Sequence, residues 1–407
     1  MTRFQIQTLN NISAKGLERF PPDRYAVAKE LDRPDAILVR SHDMHAMPIA
    51  TSVKAIARAG TGTNNIPVAE MSRRGLPVFN APGANANAVK ELVLAALLIS
   101  ARNLVPALQF VSELPPGAQD FEARVEEGKK QFAGVELPYR VLGIVGLGAI
   151  GALVADTAFK LGMKVIGYDP EITVDAAWRL HSGVRKANSI EELLKQSDFV
   201  SLHVPLVAAT RGLIDARRLA AMRPGSVLLN FARDAIVDES AVVDALRSGR
   251  LKAYLSDFPS PTFAGVAGAI ALPHLGASTA EAEENCAVMV VEQLREFLEN
   301  GGITNAVNFP NVEMARESDH RIGIANANVP NMLGQISTAM ANAGLNIHNM
   351  VNKSRGEMAY TLVDVDSPVT QAAIDAIAAI DGVLSVRSVP ADPDRTADPA
   401  ANRDVTA

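Results

Sequence analysis

Six consecutive residues, Gly146-Leu147-Gly148-Ala149-Ile150-Gly151, carry three glycines at the spacing that lets a backbone wrap a pyrophosphate. The apolar run Val141 to Val145 before them reads as a strand, and the residues after them read as a helix. Asp169 closes the next apolar run, 18 residues beyond Gly151. In that context Gly146 permits the tight turn, Gly148 lets the backbone approach the anion, and Gly151 lets helix and strand pack closely. Gly148, Ala149 and Ile150 open the helix, where unpaired N–H groups and the helix dipole favour phosphate. Asp169 can accept from both adenosine ribose hydroxyls and would repel a 2′-phosphate, so the spacing predicts NAD rather than NADP. Such a ligand sits at the carboxyl ends of the strands.

A nicotinamide enzyme oxidising an alcohol needs a general base for the hydroxyl proton and, if the substrate is an acid, a cation for its carboxylate. His274, in Leu272-Pro273-His274-Leu275-Gly276-Ala277-Ser278-Thr279, and Arg233, in Asn230-Phe231-Ala232-Arg233-Asp234, suit these two tasks. Arg233 directly follows the apolar strand at residues 226–229. The other six histidines, His42, His45, His181, His203, His320 and His348, lie in less specific segments and read as structural. Asp257 is the only acid between Ser256 and His274.

These residues need elements to hold them. At 407 residues, 48% hydrophobic and 21% charged, the chain is globular and long enough for two or three domains. Its formal charge of -6 argues against nucleic-acid or anionic-membrane partners, so an anionic substrate needs a local cluster of arginines. The single cysteine, Cys286, excludes a disulfide framework and a zinc site built on paired thiolates; it reads as a buried small hydrophobe, and no metal site is expected. Without a signal-peptide pattern at residues 1–10 or a membrane-spanning apolar run, the expected location is the cytoplasm.

Ala36-Ile37-Leu38-Val39 and Pro77-Val78-Phe79 are short apolar runs with glycine and asparagine clusters at their ends, as in βα units of a parallel sheet. Residues 89–99 read as a buried helix, and Leu114-Pro115-Pro116-Gly117 as a polar interruption before the second α/β set. A helix at 281–300 is expected to return the chain to the first set, with residues 306–309 as its last contribution. After a linker at 310–318, a strand at 321–327 precedes a helix with Leu333, Ile336 and Met340 on one face and Gly344 at its end. Met358, Tyr360 and Leu362 alternate as in a half-buried strand. Residues rich in Asp, Pro and Ala at 391–407 read as a disordered tail.

The segments 146–151, 230–239 and 273–279 together resemble the three signature blocks of the D-2-hydroxy-acid dehydrogenase family, over about residues 35 to 310. The resemblance implies a discontinuous flavodoxin-like substrate domain (1–93 and 285–310) and a Rossmann NAD domain (94–284), both doubly wound α/β sheets. It further implies that His274 is the acid/base, that Arg233 binds the carboxylate and polarises the carbonyl, and that Asp257 contacts the nicotinamide amide. Thr61, Val204, Phe231, Ala232, Gly276 and Ala277 would join the fingerprint residues around NAD. Two positions depart from the family pattern. Thr262 stands where the family places the glutamate that pairs with the histidine, and Asp234 stands where it usually has glycine. Asp234 is expected either to pair with Arg233 or to face solvent.

Val39-Arg40-Ser41, the segment 58–62 and Phe79-Asn80-Ala81-Pro82-Gly83-Ala84-Asn85 resemble the substrate-side loops of phosphoglycerate-oxidising members. Arg40 and Ser41 would meet a phosphate, with Gly83 and Asn85 near the carboxylate. The implied reaction is oxidation of D-3-phosphoglycerate, the first step of the phosphorylated route to L-serine. The alternatives are a dehydrogenase or reductase for another 2-hydroxy acid (substrates such as glyoxylate, lactate or 2-oxoglutarate) and a non-catalytic NAD-binding regulator. Residues 319–390 resemble an ACT domain, an α+β amino-acid-binding module, through Ala327 to Gly334 and Ala343 to Ile347. Asn326, Asn328 and Asn346 would line its effector loop, with L-serine as the candidate effector. Serine-sensitive relatives have histidine where Asn326 stands. A homodimer or homotetramer is implied by the same resemblance.

Overall fold

Parallel strands buried on both faces are apolar at every position, and the central strand Ala36–Val39 obeys this. In the strand Ala36–Val39, Ala36 and Leu38 enter one core while Ile37 and Val39 enter another. The computed structural model describes residues 3–115 and 119–391, so the tail from residue 392 and Pro116-Gly117 of the polar interruption lie outside the described residues. Two compact units emerge: residues 1–85 with 283–407, and residues 86–282.

The α/β part of the first unit is a five-stranded parallel sheet. Its strands run in the order Tyr25–Ala28, Phe4–Leu9, Ala36–Val39, Ala55–Arg58, Val78–Phe79. That is the flavodoxin-like order 2-1-3-4-5, with its switch point beside the first strand. Residues 306–309 do add to this sheet, by an antiparallel bridge of Ala306 to Phe79 and a hydrogen bond from Val307 N to Val78 O (2.9 Å). Cys286 is buried in the core between this sheet and helix Ala280–Asn300.

The second unit is a seven-stranded parallel sheet. Across it run Ala269–Ala271, Leu251–Ser256, Ser226–Asn230, Phe199–Leu202, Val141–Val145, Lys164–Tyr168 and Arg185–Lys186. The direction of winding reverses between Phe199–Leu202 and Val141–Val145, and the fingerprint turn leaves the sheet there. The helix expected to be wholly buried runs Ala86–Ala101 and buries only one face; Leu98 is exposed. Its apolar residues outnumber those the sheet can cover.

The C-terminal module follows the order strand, helix, strand, strand, helix, strand, and its antiparallel sheet places Ile347–Arg355, Met358–Val365, His320–Ala327 and Val383–Val389 side by side. Two expectations change here. The helix Met332–Asn342 buries Met332, Ile336 and Met340, while Leu333 is 42% exposed: the stripe is set one residue earlier, and Leu333 is turned about 100° away from it. The strand Met358–Val365 is not half-buried but buried on both faces. Val363 and Val365 meet the module's helices, whereas Tyr360 and Leu362 enter the core of the α/β part around Val290, Leu294 and Phe297.

A buried ion pair fastens this packing. Arg321 donates Nε to Asp364 Oδ1 (2.6 Å) and Nη2 to Asp364 Oδ2 (2.9 Å), and its remaining N–H groups reach the carbonyls of Asn300, Met314 and Ala315. All five guanidinium donors are thereby used. Burial alone would raise the Asp364 carboxyl, but hydrogen bonds from Arg321 and the Glu317 N–H and the Arg321 charge outweigh it and hold it below its ordinary value. Asp364→Asn should strand the arginine charge and cost about 3–5 kcal/mol at neutral pH, read as a lowered urea midpoint. A group whose folded value is depressed stabilises fully above its unfolded value and loses this as pH falls through the folded one. The gap between wild type and variant should therefore close only below about pH 4. An unchanged midpoint at neutral pH would exclude a stabilising role for the pair.

Candidate functional site: a dinucleotide cradle

In the second unit, the strand Val141–Val145 ends in Gly146, whose φ of +91° is a left-handed turn that favours glycine. A Cβ there would lie 2.5 Å from the His203 carbonyl. A Cβ on Gly151 would lie 2.0 Å from the Gly146 carbonyl, so this glycine is needed for close helix packing. Gly148 is different: a Cβ there would meet nothing within 4 Å, and Gly148 is the N-cap of helix Ala149–Lys160. The space above Gly148 and the N–H groups of the first turn fit a pyrophosphate. Asp169 follows the next strand and accepts from Leu147 N (2.8 Å) and Glu171 N (3.0 Å), which locks the turn and aims the carboxylate beside it. Val204, Phe231 and Ala232 lie at the carboxyl ends of the two neighbouring strands.

His203 ends the strand Phe199–Leu202 with Nε2 2.8 Å from Ser201 Oγ, while Nδ1 is sealed from solvent without a partner. Burial pushes its imidazole down to about 4, so it is neutral near pH 7. His45 and His348 are paired with Asp43 and Glu317, and His181 stacks on Phe159 at 3.8 Å.

Arg233 is exposed and extended (φ -153°) just past the strand Ser226–Asn230. Asn230, fully buried, shapes this turn: its Nδ2 donates to the Arg233 carbonyl (2.8 Å) and its Oδ1 accepts from Ala232 N (3.3 Å). The Arg233 guanidinium donates to the Ala232 carbonyl (2.6 Å). Asp234 forms no ion pair with it among the described residues; its carboxylate accepts from Ala235 N at the start of a short 3-10 turn. Asn230 was missed as a functional residue, although its position between an apolar strand and the arginine marks it.

His274 has φ +57°, a left-handed conformation that is costly for a non-glycine residue. Asp257, 2% exposed, holds the two peptide groups that follow: Oδ1 accepts from Leu275 N and Oδ2 from Gly276 N, both at 2.6 Å. Both oxygens of Asp257 are thus committed to this loop, and Ala277 lies just past it. Among the described residues no carboxylate pairs with His274; its ring neighbour is Phe258, edge-on at 5.1 Å. Thr262, at the expected glutamate position, accepts from Ser260 Oγ (3.1 Å), and Ser260 Oγ also reaches Glu239 (2.7 Å).

In the first unit the substrate-side residues collect at the carboxyl ends of the strands. Thr61 Oγ1 lies 3.2 Å from Asn85 Oδ1, Asn80 Nδ2 donates to the Thr61 carbonyl (2.5 Å), and Gly83 turns at φ +79°. Arg40 and Ser41 directly follow Val39, and the Arg40 guanidinium is paired with Glu283. Asn80 and Glu283 had no distinguishing signal in sequence. In the C-terminal module the three asparagines do not assemble. Asn326 and Asn328 stand at one end of the sheet, whereas Asn346 precedes Ile347, which pairs with Val365 opposite His320 at the other end. Six residues of strand separate them, about 20 Å. Asn326 is buried with Oδ1 unpartnered, and Asn328 Nδ2 donates to the Gly356 carbonyl (3.0 Å).

Residues 104–276 match the model of the D-isomer specific 2-hydroxyacid dehydrogenase, NAD binding domain. A D-3-phosphoglycerate dehydrogenase of Escherichia coli is 32% identical over 83% of this chain and 82% of its own length. One of Methanocaldococcus jannaschii is 36% identical over 68% of this chain and 52% of its own, so the chain spans about half the length of that relative. The solved NAD-bound 3-phosphoglycerate dehydrogenase of Entamoeba histolytica is 26% identical with a TM-score of 0.59, covering 75% of this chain and 99% of that one.

Proposed function

We propose, from the fact that this chain belongs to the D-isomer specific 2-hydroxyacid dehydrogenase family, that it oxidises D-3-phosphoglycerate to 3-phosphohydroxypyruvate with NAD. NAD, when bound, accepts the hydride that leaves C2 of the substrate. The Gly148 turn and helix N-terminus would hold the cofactor's phosphates, and Asp169 its ribose. His274 removes the hydroxyl proton as the C–H bond breaks, so the oxygen's electron pair forms the carbonyl. Arg233 binds the carboxylate and stabilises the charge that builds on the reacting oxygen. Arg40 and Ser41 receive the phosphate.

The observation that carries this reading is an arginine and a histidine displayed past strand ends in the unit that also holds the NAD fingerprint, together with relatives named for this reaction. On this reading the protein acts at the first step of the phosphorylated route to L-serine, in the cytoplasm. Among the described residues no single helix is long and apolar enough to cross a membrane. The test follows NADH with D-3-phosphoglycerate, and its consumption with 3-phosphohydroxypyruvate, beside unphosphorylated 2-hydroxy and 2-keto acids. Turnover only of an unphosphorylated acid would overturn the substrate and keep the reaction class.

A second reading, an NAD-binding regulator without turnover, draws on the lack of a carboxylate partner for His274 among the described residues. NAD binding without turnover of any acid in the panel would favour it. L-serine added to the same assay tests regulation through the module, where Asn326 Oδ1 is the group left for a ligand. Assembly into a homodimer or homotetramer is supported by helix Leu104–Glu113, which buries no residue and exposes Leu104, Val105, Leu108 and Val111.

A further inference from the structure

The loop that carries Arg40 is stiff, and its head group is not. The Arg40 carbonyl accepts from Arg58 Nε (3.1 Å) and Asn65 Nδ2 (3.3 Å), while Ser41 N and His42 N both donate to Asn10 Oδ1 (3.2 and 2.5 Å). The backbone is thus clamped from both sides. The guanidinium reaches out to one carboxylate, that of Glu283, and each of the two side chains is 39% exposed. Glu283 sits in the first turns of helix Ala280–Asn300, which Ala287 and Val290 seat in the core and the Lys15–Glu284 pair ties at the surface. Cys286, less than one turn further along the helix, is buried in the same core.

An exposed ion pair is weak and exchanges readily. A phosphate dianion brings twice the charge of a carboxylate and three acceptor oxygens, so it can take Arg40 from Glu283. A free phosphate must also give up its translational freedom. A phosphate carried on a molecule already held elsewhere does not, and so competes at a much higher effective concentration. A carboxylate on the arginine weakens both by the same factor, and the carried phosphate overcomes it through its higher effective concentration.

We propose that Glu283 is an internal anion that competes for Arg40 and weakens every phosphate that binds there by the same factor, so that a phosphate carried on a bound 2-hydroxy acid, at its higher effective concentration, still displaces it while free inorganic phosphate does so poorly. This rests on the reading of Arg40 as the cation for the substrate phosphate. The specificity is by repulsion, since Glu283 attracts nothing in the substrate.

The experiment compares wild type, Glu283→Gln and Glu284→Gln, the last making the same change of charge one residue away on a side chain that faces Lys15 instead. Inorganic phosphate is titrated as an inhibitor of 3-phosphohydroxypyruvate reduction. In Glu283→Gln its inhibition constant should fall about three- to five-fold, as should KM for the phosphorylated keto acid, while KM for unphosphorylated hydroxypyruvate stays put. Glu284→Gln should match wild type in all three. Equal phosphate inhibition in the two variants, or a raised KM for the phosphorylated acid in Glu283→Gln, would overturn the proposal. If wild type turns over no phosphorylated acid, the functional reading fails, and calorimetric titration with inorganic phosphate decides this inference separately. Tighter binding in Glu283→Gln that vanishes on adding Arg40→Ala supports it; binding that Glu283→Gln leaves unchanged sinks it.

Discussion

Arg233→Ala should lower kcat/KM for the 2-hydroxy acid by about 10³-fold or more, with losses in both kcat and KM. Among the described residues the guanidinium is held only by its neighbour's carbonyl, and the buried Asn230 fixes the turn from which it projects, so the side chain is presented rather than consumed. Alanine removes two things. Carboxylate binding is felt equally in ground and transition states and appears in KM; polarisation of the reacting oxygen grows along the reaction and appears in kcat. Loss of one such donor costs about 10²–10³-fold in kcat. Arg233→Lys should recover part of the charge effect but not the planar two-point grip. Steady-state kinetics within tenfold of wild type for Arg233→Ala would remove Arg233 from the mechanism.

Asp257→Asn should lower kcat about 100-fold while leaving the fold intact. An amide cannot accept from both Leu275 N and Gly276 N, so one buried donor faces another and the loop that keeps His274 at φ +57° loses its clamp. A small displacement of a reacting group costs about that factor. The cycle with His274→Gln separates this from a direct contact with the nicotinamide amide. If Asp257 acts through His274, its effect disappears once the imidazole is gone. Undiminished loss in the His274→Gln background, with a raised KM for NAD, would instead assign Asp257 to the cofactor.

What could be read along the chain was what the chain does locally. Strand, glycine turn, helix, strand and Asp169 occupy fewer than thirty residues, and each has a residue-level reason to be there. The parallel sheets were legible for the same cause, since strands covered on both faces are apolar throughout. Long-range packing was not. Tyr360 and Leu362 look like one side of a half-buried strand, and no local signal announces that the other side of that sheet meets Val290 and Phe297. Asn346 was grouped with Asn326 and Asn328 by residue type, but the helix between them carries the chain back along the sheet. The commitment of Asp257 to two backbone N–H groups depends on a loop conformation that composition does not encode.

The shared core of the first unit also bears on the order in which the chain can fold during synthesis. Residues 86–282 form the second unit and are continuous, so both faces of its sheet can be covered as soon as they have left the ribosome. The first unit begins earlier and finishes last. Ile6, Leu38 and Phe79 need Val290, Phe297 and Phe309, and then Tyr360 and Leu362, to complete their core. Until those arrive, the first sheet waits with one face open, the kind of transiently exposed apolar surface that chaperones recognise. Residues made before the second unit are therefore protected only after it is complete.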